Sequence, residues 1–340
     1  MEENAAGMLR FFSLLPNIVH ARPPAMLRER KPLGGSPYTG NKKSVNNITI
    51  KQAKAEDFET ISKLIADQNK NPETHSIQSD TGNNYQSIQN EIIRLASEAG
   101  ICFIMAFHNG ELIGTLGCEL DQELGRGWAR GPFIISKTNE WEKVASALLQ
   151  GLQNTLPPTI HWLDSFLNIA NERGNKFYFA HGLRQLRLVH VYVAKAFENP
   201  LGNLSACESI DPLQAQNFVT LHERIFVQTY ATGQRILNKL DDNHQVFVYT
   251  QGDEFLGYLY ATIEEDTGDG SVEFIGVQED ARGKGIGRQL LQTALQWLFE
   301  GRKVHQATLV VNDNLTNARS LYESVGFRLK YTGVHARKEW

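Results

Sequence analysis

The sequence predicts an α/β protein in which one domain occurs twice. Its 340 residues exceed the usual size of a single domain, and the 41% of hydrophobic residues are enough for packed cores. The second half also repeats the order of predicted strands and helices in the first half. Three pairs of segments recur at offsets of 142 to 144 residues: Leu148–Gln150 with Leu290–Gln292, Gly114 with Gly257, and Phe177–Leu183 with Leu321–Phe327. A nearly constant offset and a repeated element order indicate two copies of one fold.

The composition excludes several classes of protein. The net charge of −4 argues against a dedicated nucleic-acid-binding protein. The three cysteines, Cys102, Cys118 and Cys207, are far apart, so they predict neither a disulfide framework nor a metal site. This cysteine usage favours a reducing, cytoplasmic compartment. The sequence lacks the run of about 18 apolar residues that a transmembrane helix needs, so we expect no membrane partner.

The first 46 residues are predicted to form a flexible basic extension. Residues 1–47 hold seven basic side chains against three acidic ones, a net charge of +4, and five of the eleven prolines. A short apolar run, Met8–Leu15, is stopped by Pro16. Because this run is too short for a secretory signal, a targeting peptide is the less favoured interpretation.

The N-terminal domain is predicted over residues 47–199. Apolar residues alternate along Ile48–Ala53 as in a half-buried strand, and Asp57 opens a helical pattern. The Asn109-Gly110 pair between two apolar runs predicts a hairpin. Polar residues at 69–86 predict a long loop. The other predicted elements are helices near 87–98, 140–154 and 170–180, and strands near 101–107, 112–120, 128–135, 159–165 and 187–194.

The C-terminal domain is predicted over residues 200–340, after a turn-rich linker at Asn199–Asn203. Its elements follow the order of the N-terminal domain and include a second hairpin around Gly252. The predicted strands cover 204–210, 246–250, 255–263, 272–277, 306–311 and 328–334, and the predicted helices cover 212–226, 285–299 and 317–324.

A glycine-rich turn follows the strand at 272–277 and leads into a helix. Gly283, Gly285 and Gly287 let the backbone approach a ligand closely because no Cβ atom intervenes. The unpaired N–H groups and the dipole at the start of the helix favour negative charge there. Three basic side chains add positive charge to the turn: Arg282, Lys284 and Arg288. The pattern therefore predicts a binding site for a pyrophosphate group, and a glycine-rich loop with solvated basic residues is the alternative.

Three nucleotide-binding motifs can be compared with this turn. The Gly-Lys-Ser/Thr end of a Walker P-loop is absent. A Rossmann fingerprint fails because Arg288 stands where its third glycine would fall, and because the turn comes late in the domain. The pattern Arg/Gln-x-x-Gly-x-Gly/Ala is met by Arg282, Gly285 and Gly287. It resembles motif A of the GNAT superfamily of N-acetyltransferases, which binds the pyrophosphate of acetyl-CoA.

A second segment strengthens the resemblance. Residues Asn314–Phe327 are similar to motif B of the family, with its Asn…Ala…Leu-Tyr…Gly-Phe pattern. Asn314 lies eight residues before Tyr322, where a spacing of seven is more common in the family, and Asn317 is the other candidate for contact with CoA. The resemblance covers residues 204–334. It implies two tandem GNAT-like domains, each with a mixed, mostly antiparallel central sheet flanked by helices.

The resemblance also implies how acetyl-CoA, as cosubstrate, would be held. Its pantetheine arm would lie between two splayed parallel strands and meet the backbone of Ile275, Gly276 and Val277. The turn would hold the pyrophosphate through the following residues: Arg282, Gly283, Lys284, Gly285, Ile286, Gly287 and Arg288. A backbone N–H would polarise the acyl carbonyl, and an amine acceptor would attack the thioester directly.

Two residues are candidates for proton transfer. Glu273 is the candidate general base, because an attacking amine must be neutral and the alternation of the strand puts Glu273 on the face of Ile275 and Val277. An ordinary surface carboxylate is the equally weighted alternative. Tyr322 is the candidate acid for the leaving thiolate, and a half-buried packing residue is its alternative. Tyr258 and Tyr260 share one face of their strand and are candidates for lining the acceptor pocket.

The first half lacks the glycine turn. Ser136–Asn139, the segment between its corresponding strand and helix, has no glycine, so we expect this half to bind acetyl-CoA weakly or not at all. It would instead support the other half or shape the acceptor site.

The sequence therefore predicts an acetyl-CoA-dependent N-acetyltransferase with one active, C-terminal site and an unidentified amine acceptor. A non-catalytic CoA-binding or regulatory module and a mycothiol synthase-like acyltransferase are the alternatives. The intact turn argues against aminoacyl-tRNA-dependent peptidyltransferases of tandem architecture. Because two fused copies can replace the dimer of single-domain relatives, monomer and homodimer both remain open.

Overall fold

The computed structural model describes residues 48–80, 84–98, 100–135, 140–196, 207–227, 229, 231–264, 267–312 and 316–339, with only the backbone described at 316–318. Within these ranges, twelve strands form one continuous sheet and eight α-helices pack against it. The basic head, Ser136–Asn139 and Asn314 lie outside the described residues. None of the described helices is both long and apolar enough to cross a membrane.

The N-terminal half comprises the described residues from 48 to 196. Its elements are β1 (Ile48–Gln52), α1 (Phe58–Gln68), α2 (Tyr85–Ser97), β2 (Ile101–His108), β3 (Glu111–Asp121), β4 (Arg126–Ile134), α3 (Trp141–Thr155), β5 (Trp162–Asn168), α4 (Glu172–Ala180) and β6 (Arg184–Lys195). The Asn109-Gly110 turn between β2 and β3 has φ angles of 52° and 87°, as the tight hairpin requires. The Asn84 side chain caps α2 by accepting a hydrogen bond from the Gln86 N–H.

The C-terminal half comprises the described residues from 207 to 339. Its elements are β7 (Cys207–Ser209), α5 (Ala215–Ile225), α6 (Gly233–Leu237), β8 (His244–Gln251), β9 (Glu254–Ile263), β10 (Gly270–Val277), α7 (Ile286–Gln296), β11 (Gln306–Asn312), α8 (Thr316–Ser324) and β12 (Arg328–Glu339). From β8 to β12, each element begins 143 to 145 residues after its counterpart between β2 and β6. The predicted repetition of one fold is thereby confirmed.

The two halves exchange their last strands. The order in the sheet is β1-β2-β3-β4-β5-β12-β6-β11-β10-β9-β8-β7. Strand β12 of the C-terminal half pairs with β5 and β6, and β6 of the N-terminal half pairs with β12 and β11. Each half therefore depends on a strand of the other half to complete its sheet. The predicted domain boundary between residues 199 and 200 lies outside the described residues and stays a prediction. Hydrogen bonds join strands from the two sides of this boundary in one sheet.

Buried charges hold β12 in this position. Asp164 of β5 accepts hydrogen bonds of 2.5 and 2.8 Å from the guanidinium of Arg337 on β12. The ring of His335, also on β12, stacks on Phe166 with 4.2 Å between the ring centroids. Only 1% of the surface of His335 is exposed, and this burial lowers its pKa to about 4.

The helices bury the apolar residues that recur in the repeat. The two Leu-Leu pairs, Leu148-Leu149 in α3 and Leu290-Leu291 in α7, lie in the core beneath their helices. The opposite face of the sheet carries α1 and α2 in one half and α5 and α6 in the other. Each half is thus a sheet with helices on both faces, as the fold class predicted.

Three features differ from the sequence prediction. Strand β12 continues to Glu339, beyond the predicted end at 334, because it pairs with β5 along Gly333–Glu339. Helix α6 was not predicted, and with only five residues it gives little periodic signal. The predicted loop at 69–86 contains a buried 3₁₀ turn at Ile77–Ser79.

Candidate active site

Strands β10 and β11 separate part-way along their length. They pair in parallel only where Gly270–Val272 faces Ala307–Leu309. Both strands then continue, to Val277 and Asn312, without pairing to each other. We call this opening the β10–β11 gap. Because β10 remains antiparallel to β9, alternate N–H and C=O groups of residues 273–277 face the gap.

A β-bulge at Glu273 accompanies the separation. The pairing of β10 with β9 shifts register between Val272 and Phe274. The bulge places Glu273 on the face of the sheet that carries α5 and α6, where it contacts Thr262. Ile275 and Val277 pack on the α7 face. The prediction that all three share one face was therefore wrong, because a bulge interrupts strand alternation.

Two hydroxyl groups orient the Glu273 carboxylate. Its Oε1 atom accepts hydrogen bonds from Ser271 Oγ at 2.5 Å and Thr262 Oγ1 at 3.2 Å. The side chain is half-buried and lines a cavity described below. The two hydrogen bonds fix the orientation of the carboxylate at this position.

The glycine turn begins directly after β10. A 3₁₀ turn at Glu279–Ala281 leads into Gly283 and Gly285, whose φ angles of 78° and 83° lie in the left-handed region. Gly285 is the N-cap of α7, which starts at Ile286. A Cβ atom added at Gly283 or Gly285 would meet no described atom within 4 Å, so the space above the turn is open.

The backbone of this turn offers several hydrogen-bond donors. Among the described residues, the amides from Gly283 to Gly287 have no acceptor, as expected for the first turn of a helix. Together with the helix dipole they favour an anion. Arg282 and Lys284 are exposed, and Arg282 Nε donates to the carbonyl of Val277 at 3.4 Å.

The remaining basic residue of the turn has a different position. Arg288 donates to the carbonyl of Ser324 at 3.1 Å, at the end of α8. Gly287 allows close packing of α8, because a Cβ atom there would lie 3.2 Å from Leu321. Arg288 therefore fixes α8 against α7 beside the turn.

Tyr322 lies on α8 and packs into the core on the α7 face. It is 7% exposed, and its ring centroid lies 6.1 Å from that of Tyr192 on β6 and 6.4 Å from that of Phe327. Burial raises the pKa of Tyr322 to about 12. Ile275 and Val277 pack against the same core, so the candidate acid and the candidate base Glu273 flank β10 from opposite faces.

The asparagines of motif B are only partly described. Asn314 lies outside the described residues, and Asn317 lies on α8 with its side chain outside them. Their contact with CoA stays a prediction. The preceding Asn312, at the end of β11, has a buried Oδ1 atom without a hydrogen-bond partner in the described ranges. This acceptor lies three residues beyond the last pair between β11 and β10.

The corresponding gap of the N-terminal half is filled by the chain itself. Strands β4 and β5 pair in parallel only up to Ala129 and Ser165. Beyond that point, Ser76 forms an antiparallel bridge with Leu167 and accepts a hydrogen bond from the Gly131 N–H at 3.1 Å. Segment 75–79 thus lies between β4 and β5, where the other half has its open gap.

The filling segment is tightly held. All of its residues are buried, and the carbonyl of His75 accepts a hydrogen bond of 3.2 Å from the Asn168 N–H. Gln78 Nε2 donates to Glu119 at 2.8 Å. Among the described residues, no bridge of this kind crosses the β10–β11 gap.

A cavity of about 730 Å³ lies between the two halves. It is lined by the ends of β3 and β9, which are third and tenth in the sheet. Seven strand steps would separate them by about 34 Å in a flat sheet, so the sheet must curve to bring them together. Glu273 lines this cavity at the point where the β10–β11 gap begins. The volume suits a small-molecule ligand.

Of the two tyrosines predicted for the acceptor pocket, Tyr260 lines this cavity, whereas Tyr258 is fully buried and does not line it. Tyr258 donates to His222 Nδ1 at 2.6 Å, and His222 Nε2 donates to the Ala231 carbonyl at 2.8 Å. Since a carbonyl only accepts, Nε2 carries the proton and His222 is neutral, in keeping with a pKa that burial lowers. Sequence patterns did not indicate this pair, because His222 lies on the apolar face of α5 like a core residue.

Comparisons with known proteins agree with the geometry. The sequence model of the acetyltransferase (GNAT) family matches residues 213–327. This segment of the C-terminal half belongs to the GNAT family. The matched segment includes the bulge, the glycine turn and Tyr322. Comparison with curated proteins finds no significant match.

Solved structures show the same fold over most of the chain. A GCN5-related N-acetyltransferase from Sphaerobacter thermophilus is 18% identical with a TM-score of 0.67, over 87% of this chain and 96% of its own. A tandem GNAT protein from the clavulanic acid biosynthesis pathway is 10% identical with a TM-score of 0.57, over 86% and 98% of the two chains. At these identities the likeness shows the tandem GNAT fold alone.

Proposed function

We propose that the protein is an acetyl-CoA-dependent N-acetyltransferase with a single acetyl-CoA site, located in the C-terminal half. The observation that carries this proposal is the contrast between the two gaps. The β10–β11 gap is open and leads to a left-handed glycine turn, whereas segment 75–79 fills the gap between β4 and β5. A pantetheine arm needs an open strand edge for its amide groups, so only the first of these gaps suits it.

The pyrophosphate of acetyl-CoA would bind at the turn. The free amides of residues 283–287 and the start of α7 supply donors and a favourable dipole, and Arg282 and Lys284 supply charge. The open space above Gly283 and Gly285 is what close approach of a phosphate requires.

The backbone of Ile275, Gly276 and Val277 would hold the pantetheine arm. A Cβ atom at Gly276 would lie 2.6 Å from the ring of Tyr258, so only glycine fits there. This packing fixes the end of β10 rigidly beside the gap. An N–H of this segment would polarise the acetyl carbonyl.

Glu273 and Tyr322 would move the protons. In the transfer, the amine nitrogen bonds to the acetyl carbon, the carbon–sulfur bond breaks, one amine proton passes to Glu273, and the thiolate takes a proton. Tyr322 would supply that last proton, since its phenol is protonated across the neutral range, although burial raises its pKa and so makes it a weaker acid than an exposed tyrosine. Their placement on opposite faces of β10 suits an acceptor that arrives from the cavity side.

The test is release of free CoA thiol with acetyl-CoA and a panel of amines, polyamines, aminoglycosides and peptide N-termini. We expect Glu273→Gln and Tyr322→Phe each to lower kcat by about 100-fold or more, with unchanged affinity for acetyl-CoA. Glu279→Gln, an exposed carboxylate of the adjoining 3₁₀ turn, is the matched control for the first variant. If both variants retain full turnover, the assignment of base and acid is wrong. If acetyl-CoA binds and no amine is acetylated, a non-catalytic CoA-binding module is the better description.

A further inference from the structure

A histidine of the C-terminal half lines the same cavity as Glu273. His244 begins β8 and pairs with Thr262 on β9. Thr262 in turn donates a hydrogen bond to Oε1 of Glu273 on β10. All three side chains line the cavity. Because opposed side chains of antiparallel strands lie about 5 Å apart, the His244 imidazole and the Glu273 carboxylate lie on either side of the Thr262 side chain.

An aspartate orients the His244 ring. Asp241 Oδ1 accepts hydrogen bonds of 2.7 Å from His244 Nδ1 and from the Asn243 N–H. The hydrogen bond from His244 lowers the pKa of the Asp241 carboxyl, which is therefore ionised in the neutral range. Since an ionised carboxylate only accepts, Nδ1 carries the proton of the neutral ring and Nε2 has a lone pair. In the part of the chain that the structure describes, Nε2 has no hydrogen-bond partner.

The surroundings of this pair restrict the ring and expose its partner. The His244 ring stacks on that of Tyr260, with 6.5 Å between the centroids and an angle of 20° between the planes. The side chain of His244 is 13% exposed, whereas that of Asp241 is 57% exposed. The imidazole is therefore held beside the cavity, and the carboxylate bonded to it is in contact with solvent.

One proton of the amine has no acceptor in the proposed transfer. A simple alkyl amine is protonated at neutral pH, since its pKa resembles the value of about 10.4 for lysine. Two protons must therefore leave the nitrogen, one before it attacks the thioester and one as the amide forms. Glu273 accounts for the second of these. The first proton needs a base within reach of the same nitrogen.

We propose that His244 is a second general base, which takes the first proton from the ammonium group of the acceptor, and that Asp241 is its positioning residue. This inference rests on the proposed acetyl transfer and adds a catalytic residue to it. The ammonium proton passes to His244 Nε2, the free amine bonds to the acetyl carbon, the carbon–sulfur bond breaks and the next amine proton passes to Glu273. The thiolate takes a proton from Tyr322. When all side chains have returned to their starting states, the thiolate has gained one of the two amine protons and the other has passed to water.

The first experiment compares two acceptors of similar size that differ in basicity. Ethylamine is an ammonium ion at neutral pH, whereas the fluorine atoms of trifluoroethylamine keep that amine neutral. With saturating acetyl-CoA, we expect His244→Gln to lower kcat/KM about 100-fold for ethylamine and less than about threefold for trifluoroethylamine, which needs no first base. A change that merely distorts the cavity lowers both values alike. Equal losses for the two amines, or no loss for either, would overturn the proposal.

Two further variants complete this experiment. His305→Gln changes an exposed histidine of the same half that does not line the cavity, and both amines should react as with the parent chain. Asp241→Asn keeps an oxygen for the Asn243 N–H and removes the charge that orients the ring. It should lower kcat/KM for ethylamine about tenfold and leave the value for trifluoroethylamine unchanged. A loss in His305→Gln as large as that in His244→Gln contradicts the assignment.

The position of the proton on His244 can be measured without turnover. Nuclear magnetic resonance of the full chain with isotope-labelled histidine distinguishes the two neutral tautomers, and His244→Gln identifies the signals of this ring. We expect the proton on Nδ1 in the parent chain and a smaller population of that tautomer in Asp241→Asn. A neutral ring with its proton on Nε2 would overturn the proposal, whether or not acetyl transfer occurs.

The outcomes separate this inference from the proposed function. If the parent chain acetylates ethylamine and His244→Gln affects both amines equally, the proposed function stands and the role of His244 is wrong. If the parent chain acetylates no amine, the proposed function fails, and the role of His244 as a base fails with it.

Discussion

A single methyl group at the glycine turn tests the assigned acetyl-CoA site. Gly285→Ala places a Cβ atom at a backbone φ of 83°, which costs an L-residue about 1–2 kcal/mol. The methyl group also enters the open space above the turn. If the substitution displaces one amide from a phosphate oxygen, the loss of a hydrogen bond to a charged group of about 1.5–3 kcal/mol weakens binding roughly 10- to 100-fold.

The chain contains a matched control for the backbone strain. Gly252, in the hairpin between β8 and β9, has a φ of 59°, and the space that an added methyl group would occupy there is equally open. Gly252→Ala should therefore lower the melting temperature by a similar few degrees and leave acetyl-CoA affinity unchanged. Calorimetric titration of both variants separates the two effects. Equal affinities for acetyl-CoA in Gly285→Ala and Gly252→Ala would refute the assignment of the turn.

Two further predictions concern the exchanged strands. Because burial lowers the pKa of His335 from 6.5 to about 4, the stabilisation from the neutral ring is present above pH 6.5 and is lost as the pH falls toward 4, by as much as ~3 kcal/mol. Urea unfolding across this range should show the loss in the parent chain and a flatter profile in His335→Gln; identical profiles contradict it. A fragment of residues 200–340 lacks β6, which pairs with both β11 and β12, so we expect no cooperative thermal transition by circular dichroism. A fragment of residues 184–340 restores that strand and should melt more cooperatively, and equal melting of the two would count against the role of β6.

The glycine turn and most elements could be predicted because their signals are local. Left-handed glycines, the Asn109-Gly110 hairpin and the alternating strands each depend on a few neighbouring residues. The same holds for the Leu-Leu pairs of α3 and α7, which mark the buried faces of those helices. The repeat added information over a longer range, since its constant offset implies the same fold twice.

The exchange of strands could not be predicted from these signals. Strands β6 and β12 have the alternating pattern of ordinary final strands, and nothing in that pattern specifies the partner. Pairing across the halves is decided by contacts far apart in sequence, such as Asp164 with Arg337. Such contacts leave no periodic mark in a single sequence.

The filled gap of the N-terminal half could not be predicted from the sequence either. Residues 69–86 are polar, and their composition predicts a solvated loop. Ser76, Gln78 and Ser79 are nevertheless buried, with Ser76 and Gln78 hydrogen-bonded to Gly131 and Glu119. Tertiary partners, and not local composition, decide where such a segment lies. The sequence predicts weak acetyl-CoA binding in this half as well, but from the absence of glycine at Ser136–Asn139 and not from a filled gap.

The position of Glu273 shows that one bulged residue can lie on the opposite face of the sheet from the face that strand alternation predicts. Alternation is a reliable guide along an unbroken strand, and a single bulge reverses it. The bulge carries Glu273 to the cavity side, among residues of the other half that no local pattern associates with it.

The number of acetyl-CoA sites follows most directly from the contrast between the open and the filled gap. Isothermal titration of the full chain with acetyl-CoA measures this number without any knowledge of the acceptor. We predict a stoichiometry of one, with binding weakened in Gly285→Ala and unchanged in Ser76→Ala, which alters only the segment that fills the other gap. A stoichiometry of two, or a single site that is insensitive to Gly285→Ala, would contradict the assignment of acetyl-CoA to the β10–β11 gap.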